Sequence, residues 1–213
     1  MDRSRVAIVI PAHNERDTIG GVVREVLAYG TPIVVDDASQ DETAALSRDA
    51  GAIVVSNPVN GGYDAAINLG FRRAAELGAD YVVTFDGDGQ HESTAIAAAL
   101  NELERGADIV VGRRPRTYRV SERLFAAVTR HRYGIADPLC GLKAYRMSLY
   151  QARGRFDVHR SIGTELMLYG VRRGFRLSQI DVRIRERNGH SRFGHAFGVN
   201  LKILRAMLNM MRE

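Results

Sequence analysis

Short apolar, β-branched runs recur at residues 6–10, 33–35, 53–55, 81–85 and 109–111, with segments of helical period between them. Runs that are apolar throughout, with no polar alternation, are expected of strands covered by helices on both faces, and a spacing of about 20 to 30 residues suits strand-helix-strand crossovers. The pattern predicts an α/β chain with a doubly wound, mainly parallel central sheet and helices on both faces. Asn14 is placed to cap a helix over 15–27, and Ser39 with Glu42 three residues later reads as a capping box. In such sheets ligands bind in the loops at the carboxyl ends of the strands. Here those loops are 11–15, 36–41 and 86–91.

Beyond residue 113 the pattern changes. Helices are predicted over 120–134 and 163–173 and a late strand over 177–184, with no internal repeat and no low-complexity linker. Phe197, Leu201, Leu204, Leu208 and Met211 recur at helical spacing, widened by Ile203, Met207 and Met210, opposite Lys202, Arg205, Asn209 and Arg212. The expected organisation is a single domain over 1–196, in two parts (1–112 and 113–196), then a C-terminal amphipathic helix over 197–213. Two roles stay open for that helix: lying on an anionic bilayer, or packing on the chain's own core or a second subunit.

Composition sharpens this picture. The 213 residues, 45% hydrophobic, suffice for one substantial core. The net charge of +5 conceals an asymmetry: residues 1–112 carry 8 Lys+Arg against 18 Asp+Glu (−10), and residues 113–213 carry 22 against 7 (+15). An acidic half suits a cation, and a basic half suits phosphate-bearing ligands or an anionic surface; pairing between the halves is the alternative. The arginines lack aromatic interleaving and any nucleic-acid motif, which argues against nucleic acid as a partner. Cys140 is the only cysteine. That excludes an intrachain disulfide or a thiolate zinc cluster and fits a cytoplasmic setting. No stretch approaches the ~18 apolar residues of a membrane span.

The segment Phe85-Asp86-Gly87-Asp88-Gly89-Gln90-His91 sets two carboxylates two positions apart beyond a buried strand, with glycines that let the backbone fold back. Such a turn suits Mg2+ or Mn2+, held by Asp86 and Asp88 with Gln90 and sharing its remaining positions with diphosphate oxygens. His91 adjoins this turn and reads as a support or a helix start in preference to a ligand. Asp36 and Asp37 end the second run, where a carboxylate can accept from a nucleobase; with Ser39 assigned to the cap, two further acids exceed what helix initiation needs. Pro11-Ala12-His13-Asn14-Glu15 joins a turn to polar groups at a helix start, where Glu15 also complements the helix dipole.

PAHNE, VVDDASQDET, NGGYDAAINLGFRRA and DGDGQH, in that order, resemble the motifs of family 2 glycosyltransferases of the GT-A fold. The resemblance implies an inverting transferase using a nucleotide-diphosphate sugar, with Pro11, Asn14, Glu15, Asp36 and Asp37 at the nucleoside and Asp86, Asp88 and Gln90 at metal and diphosphate. Gly112-Arg113-Arg114, Asp137-Pro138-Leu139-Cys140-Gly141-Leu142-Lys143 and Gly189-His190-Ser191-Arg192 are similar to segments of polyprenyl-phosphate sugar synthases, the group containing dolichol-phosphate mannose and glucose synthases. That implies a lipid-phosphate acceptor, Arg113 and Ser191 at the donor, and a peripheral position at the inner face of the membrane. The stretch between Arg113 and Asp137 is shorter than usual there, and Arg187 lies two residues before the glycine where that group has three.

Arg183, Arg185, Arg187 and Arg192 form a candidate phosphate clamp, weighed against a solvated basic strand face; Arg187 and Arg192 are the favoured pair. An anionic lipid phosphate needs no general base, whereas a hydroxyl acceptor (a glycan or small molecule) would need Asp137 or Glu165. A non-catalytic nucleotide-sugar-binding protein is a further alternative. A nucleotidyltransferase and a dinucleotide oxidoreductase both call for a glycine-rich loop after the first strand, where this chain has Pro11 to Glu15.

Overall fold

The computed structural model describes residues 1–115, 119–157, 161–185, 200 and 203–207. All five apolar runs are strands: β1 (Val6–Ala12), β2 (Thr31–Asp37), β3 (Ile53–Asn57), β4 (Tyr81–Thr84) and β5 (Ile109–Arg113). Two more, β6 (Lys143–Arg146) and β7 (Leu177–Asp181), complete a sheet of order β3-β2-β1-β4-β6-β5-β7. Every pairing is parallel except those of β6, which runs antiparallel to both β4 and β5.

Alternate residues of β1 feed two cores. Val6, Ile8 and Ile10 face α1 (Ile19–Val26) and α4 (Thr94–Glu104); Ala7 and Val9 face α3 (Tyr63–Glu76), α5 (Val120–Tyr133), α6 (Met147–Arg153) and α7 (Glu165–Arg172). A strand buried on both sides has no polar face to display, which is why its sequence does not alternate. The expected doubly wound α/β architecture is observed.

Three local expectations fail. α1 begins at Ile19, behind Thr18, not at residue 15: Asn14 adopts the left-handed region (φ 53) and its side-chain oxygen accepts from Gln40 N at 2.8 Å. The capping box at Ser39 does not form either, because the Ser39 hydroxyl accepts from Asn14 N at 2.9 Å; α2 (Thr43–Asp49) starts where Asp41 accepts from Thr43 N at 3.0 Å. The late strand stops at Asp181, after which Ile184 forms an isolated bridge to His91.

Residues 203–207 are helical, and Ile203 and Ala206 sit in the same core as α5 and α7, with Met207 packed against it. This flank of the predicted stripe therefore packs on the chain's own core, while Leu204 stays 37% exposed. Phe197, Leu201, Leu208, Met210 and Met211 lie outside the described residues.

Candidate active site

β2, β1 and β4 are neighbours, so the loops at their carboxyl ends meet at one edge of the sheet. Hydrogen bonds bind these loops together. Glu15 N donates to Thr43 Oγ1 at 2.7 Å, His13 Nδ1 lies 2.8 Å from the Asp37 carbonyl, and the Thr18 hydroxyl donates to the Gly87 carbonyl at 2.8 Å. Pro11 remains within β1, opposite Val35 of β2.

The two aspartates that end β2 separate in role. Asp37 accepts from Asn57 Nδ2 (2.9 Å) and Gly61 N (2.9 Å) on one oxygen and from Gly62 N (2.7 Å) on the other, so it shapes the loop leading into α3. Asp36 accepts from Ser39 N at 3.2 Å through Oδ1. Both are buried.

Asp86 follows β4 with its side chain 32% exposed, 3.2 Å from Nε2 of the buried His91. Burial pushes this carboxyl up, but the His91 hydrogen bond and the charges of His91, Lys143 and Arg114 outweigh it and hold the group below the usual carboxylate range. Its floor is Gly141: a Cβ there would stand 2.0 Å from Asp86 Oδ2. Thr84 ties the floor to the strand, its hydroxyl donating to the Gly141 carbonyl at 2.7 Å. Lys143, buried in β6, donates Nζ to the Cys140 carbonyl at 2.7 Å; burial lowers its pKa, opposed by the negative charges around it. Asp88 accepts from Gln90 N at 3.0 Å within the turn, and Gln90 O accepts from Arg185 N at 2.8 Å.

Among the described residues no three of His, Cys, Asp and Glu converge into a metal cluster. A half-exposed, anionic Asp86 beside a second carboxylate fits a hard cation that takes its other oxygens from diphosphate and water. Asp86 and Asp88 would hold it, with Gln90 two residues on in the same turn. Cys140 is buried, its thiol pushed up to about 12 chiefly by burial, and it serves as packing.

On the second side, Arg114 forks onto both oxygens of Asp137 (2.7 and 2.9 Å) and reaches Glu122 at 3.3 Å, all within the interior. Arg113 forks onto Asp181 at 2.6 and 2.9 Å in a more exposed pair. Arg113, Arg114, Arg123 and Arg130 line a cavity of about 420 Å3 together with Asp137, Asp181 and three alanines. Glu165, at the start of α7, is buried against Arg153 at 2.6 Å and Ser161 at 3.3 Å. Arg185 pairs with Glu25 of α1 at 3.0 Å, and Arg183 is exposed. Arg187, Ser191 and Arg192 lie outside the described residues.

Thr18, Gly141 and Lys143 were not singled out by sequence reasoning. Gly141 and Lys143 lie within the segment already matched, so its spacing from Asp137 carried the signal; nothing in the sequence marks Thr18. Tyr63 was also missed. Its ring stands 3.0 Å from where a Cβ on Gly163 would lie, and burial together with the charges of Asp86 and Asp64 pushes its hydroxyl well above the usual phenol range.

The profile of glycosyl transferase family 2 matches residues 7–205. An uncharacterized glycosyltransferase of Mycobacterium tuberculosis is 29% identical over 194 residues, covering 86% of this chain and 87% of that one. A dolichyl-phosphate hexose transferase of Haloferax volcanii is 27% identical over 202 residues, 88% and 86% of the respective chains. The crystal structure of glucosyl-3-phosphoglycerate synthase from M. tuberculosis with Mn2+ and UDP-glucose superposes with a TM-score of 0.78 at 23% identity, covering 96% of this chain and 78% of that chain. The architecture is therefore of the GT-A type.

Proposed function

The chain belongs to glycosyl transferase family 2, and from that premise we propose that it is an inverting hexosyltransferase, dependent on Mg2+ or Mn2+, that moves a sugar from a UDP- or GDP-sugar to a polyprenyl phosphate. The observation that carries this reading is Asp86: a half-exposed carboxylate held anionic at the end of β4, next to Asp88 in a glycine turn. The bound cation would offset charge building on the leaving diphosphate. The mycobacterial structure, with Mn2+ and UDP-glucose, supports a donor of this class.

In this reading Asp36 and the backbone around Asn14 and Glu15 receive the nucleoside, Asp37 shapes the loop beside it, and Arg113, Arg187, Ser191 and Arg192 act on phosphate oxygens. An acceptor phosphate oxygen attacks the anomeric carbon as the bond to the donor diphosphate breaks; the bonding pair leaves with the diphosphate and configuration inverts. The acceptor oxygen is already an anion, so no proton must be removed. The side chains that a hydroxyl acceptor would need are engaged, Asp137 by the Arg114 fork and Glu165 by Arg153. Arg123 and Arg130, which line the cavity beside Asp137 with no carboxylate partner among the described residues, and the dolichyl-phosphate hexose transferase relative favour a phosphate acceptor. Among the described residues no helix is long and apolar enough to cross a membrane; a lipid-phosphate acceptor would bring the chain to the inner face of a bilayer from the cytoplasm.

Calorimetric titration of UDP and GDP, with and without Mn2+, tests the donor half. The intact chain is expected to bind one of them in a Mn2+-dependent manner, and Asp88→Ala to lose that dependence while unfolding at the same temperature. Equal affinity of both proteins at all Mn2+ concentrations would sink the metal assignment. Formation of glycosylated polyprenyl phosphate from the matching sugar nucleotide tests the acceptor half.

A further inference from the structure

α5 has two apolar faces. Phe125, Ala126 and Thr129 are buried on one side. On the side away from that core, Val120 is 81% exposed and Leu124 47% exposed, and the exposed Ala127 and His131 continue the row at helical spacing; with Arg132 and Val128, which packs against the core, these two line a shallow cavity of about 400 Å3. Every exposed position of α5 is apolar, arginine or histidine: Val120, Arg123, Leu124, Ala127, Arg130, His131 and Arg132. The helix's one acid, Glu122, is buried against Arg114 and Arg119. Solvated helix faces ordinarily mix charges of both signs, and a two-residue apolar ridge flanked only by cations is not what water alone selects. Arg123 and Arg130 have no carboxylate partner among the described residues. The Ser121 hydroxyl at the start of α5 donates to the Asn200 side-chain oxygen at 2.6 Å, and Leu204 and Arg205 are exposed.

We infer that the outward face of α5 docks on an anionic lipid bilayer, Val120 and Leu124 entering the interface while Arg123, Arg130 and Arg132 meet the headgroups. Helices of this design lie in the interfacial plane, held by apolar burial and by attraction to anionic lipid. A second copy is a poor occupant, because a two-fold contact through α5 would set Arg123, Arg130 and Arg132 against their own mates, and the exposed Asp181 beside them is already forked by Arg113. Nucleic acid would satisfy the arginines but offers nothing to cover the apolar ridge. The arginine-lined cavity lies against the same helix, through Arg123, Ala126, Ala127 and Arg130, and β5, which ends at that cavity, runs parallel to β4, which ends at Asp86. Docking through α5 would thus present the catalytic edge to a lipid phosphate. The inference rests on the proposed lipid-phosphate acceptor for its purpose, though not for its geometry.

Co-sedimentation of the full chain with phosphatidylcholine vesicles, and with vesicles part-replaced by phosphatidylglycerol, tests it. The chain is expected to pellet with the anionic vesicles at low salt and to be released by added salt. Val120→Asp with Leu124→Asp should weaken this about tenfold or more, while Leu77→Asp, at an exposed leucine elsewhere, should bind as the parent does. Unchanged thermal unfolding and unchanged donor hydrolysis show that the double variant is folded. Absence of pelleting, a double variant that binds normally, equal binding to uncharged vesicles, or a dimer that the double variant abolishes would each overturn the inference. Failure to bind vesicles with donor hydrolysis intact removes α5 docking alone; vesicle binding without donor hydrolysis removes the transferase reading and leaves the surface.

Discussion

Asp86 and Gly141 show how a single absent methyl group positions a carboxylate. Gly141 has no left-handed backbone to protect, so its requirement is steric: a Cβ would lie 2.0 Å from Asp86 Oδ2 and 2.5 Å from its Cγ. Gly141→Ala must displace that carboxylate. Because Asp86 is half-exposed it can swing outward, so the cost should fall on ligand binding. The expected result is a loss of about tenfold or more in Mn2+-dependent nucleotide affinity, with a small change in thermal unfolding; undiminished affinity by calorimetry would show that the contact relaxes freely. The acidic turn itself was legible, since two carboxylates between glycines after an apolar run have few other uses. The glycine beneath it was not, because the contact joins residues 55 positions apart in the chain.

At the scale of elements, strands buried on both faces announced themselves by uninterrupted apolar runs, and β1 to β5 were legible for that reason. β6 was not. Its sequence, Lys-Ala-Tyr-Arg, begins with a lysine that reads as surface, yet Lys143 is buried and satisfied by a carbonyl that only the folded chain supplies. Its insertion between β4 and β5 is also what turns two pairings antiparallel. Helix starts were misread where Asn14 and Ser39 bond across loops instead of to their own helices. α3 illustrates a close approach that propensity would misjudge. Ala in place of Gly inside a helix gains about 1 kcal/mol. At Gly70, however, the added Cβ would stand 2.2 Å from a Val9 methyl and 3.2 Å from one of Val35. Overpacking of that kind costs about 1 to 3 kcal/mol. Gly70→Ala should therefore lower the urea midpoint of unfolding, and a raised midpoint would show that α3 shifts without cost.

Over the whole molecule, the acidic and basic halves are joined among the described residues by the ion pairs Arg146–Asp108 and Arg185–Glu25. A second global property follows from the buried acids Asp157 and Glu165 and the adjacent Asp64. Asp157 Oδ2 has no partner among the described residues. Burial, then the charge of Asp64 and the bond and charge of Glu165, push the Asp157 carboxyl up to about 8. The folded chain holds this proton more tightly than the unfolded one, whose aspartate titrates near ~3.9, so the contribution to stability is complete below that value and is lost as pH rises through about 8. Asp157→Asn should flatten the fall in unfolding free energy across that range, measured by urea denaturation; an equally steep fall would place its origin elsewhere.

The sequence by itself determined the fold class, the family and the acidic turn, because burial on two faces, and a turn of acids between glycines, each demand residue types that show in a short window. Tertiary structure alone decided which carboxylates stay available. Asp137 and Glu165 are engaged by Arg114 and Arg153, and Asp37 by a loop, whereas Asp86, beside His91, keeps 32% of its side chain exposed. It also decided that α5 turns a second apolar face away from the core. Pairing and exposure depend on which distant segments arrive beside a residue, and no local pattern encodes that arrival.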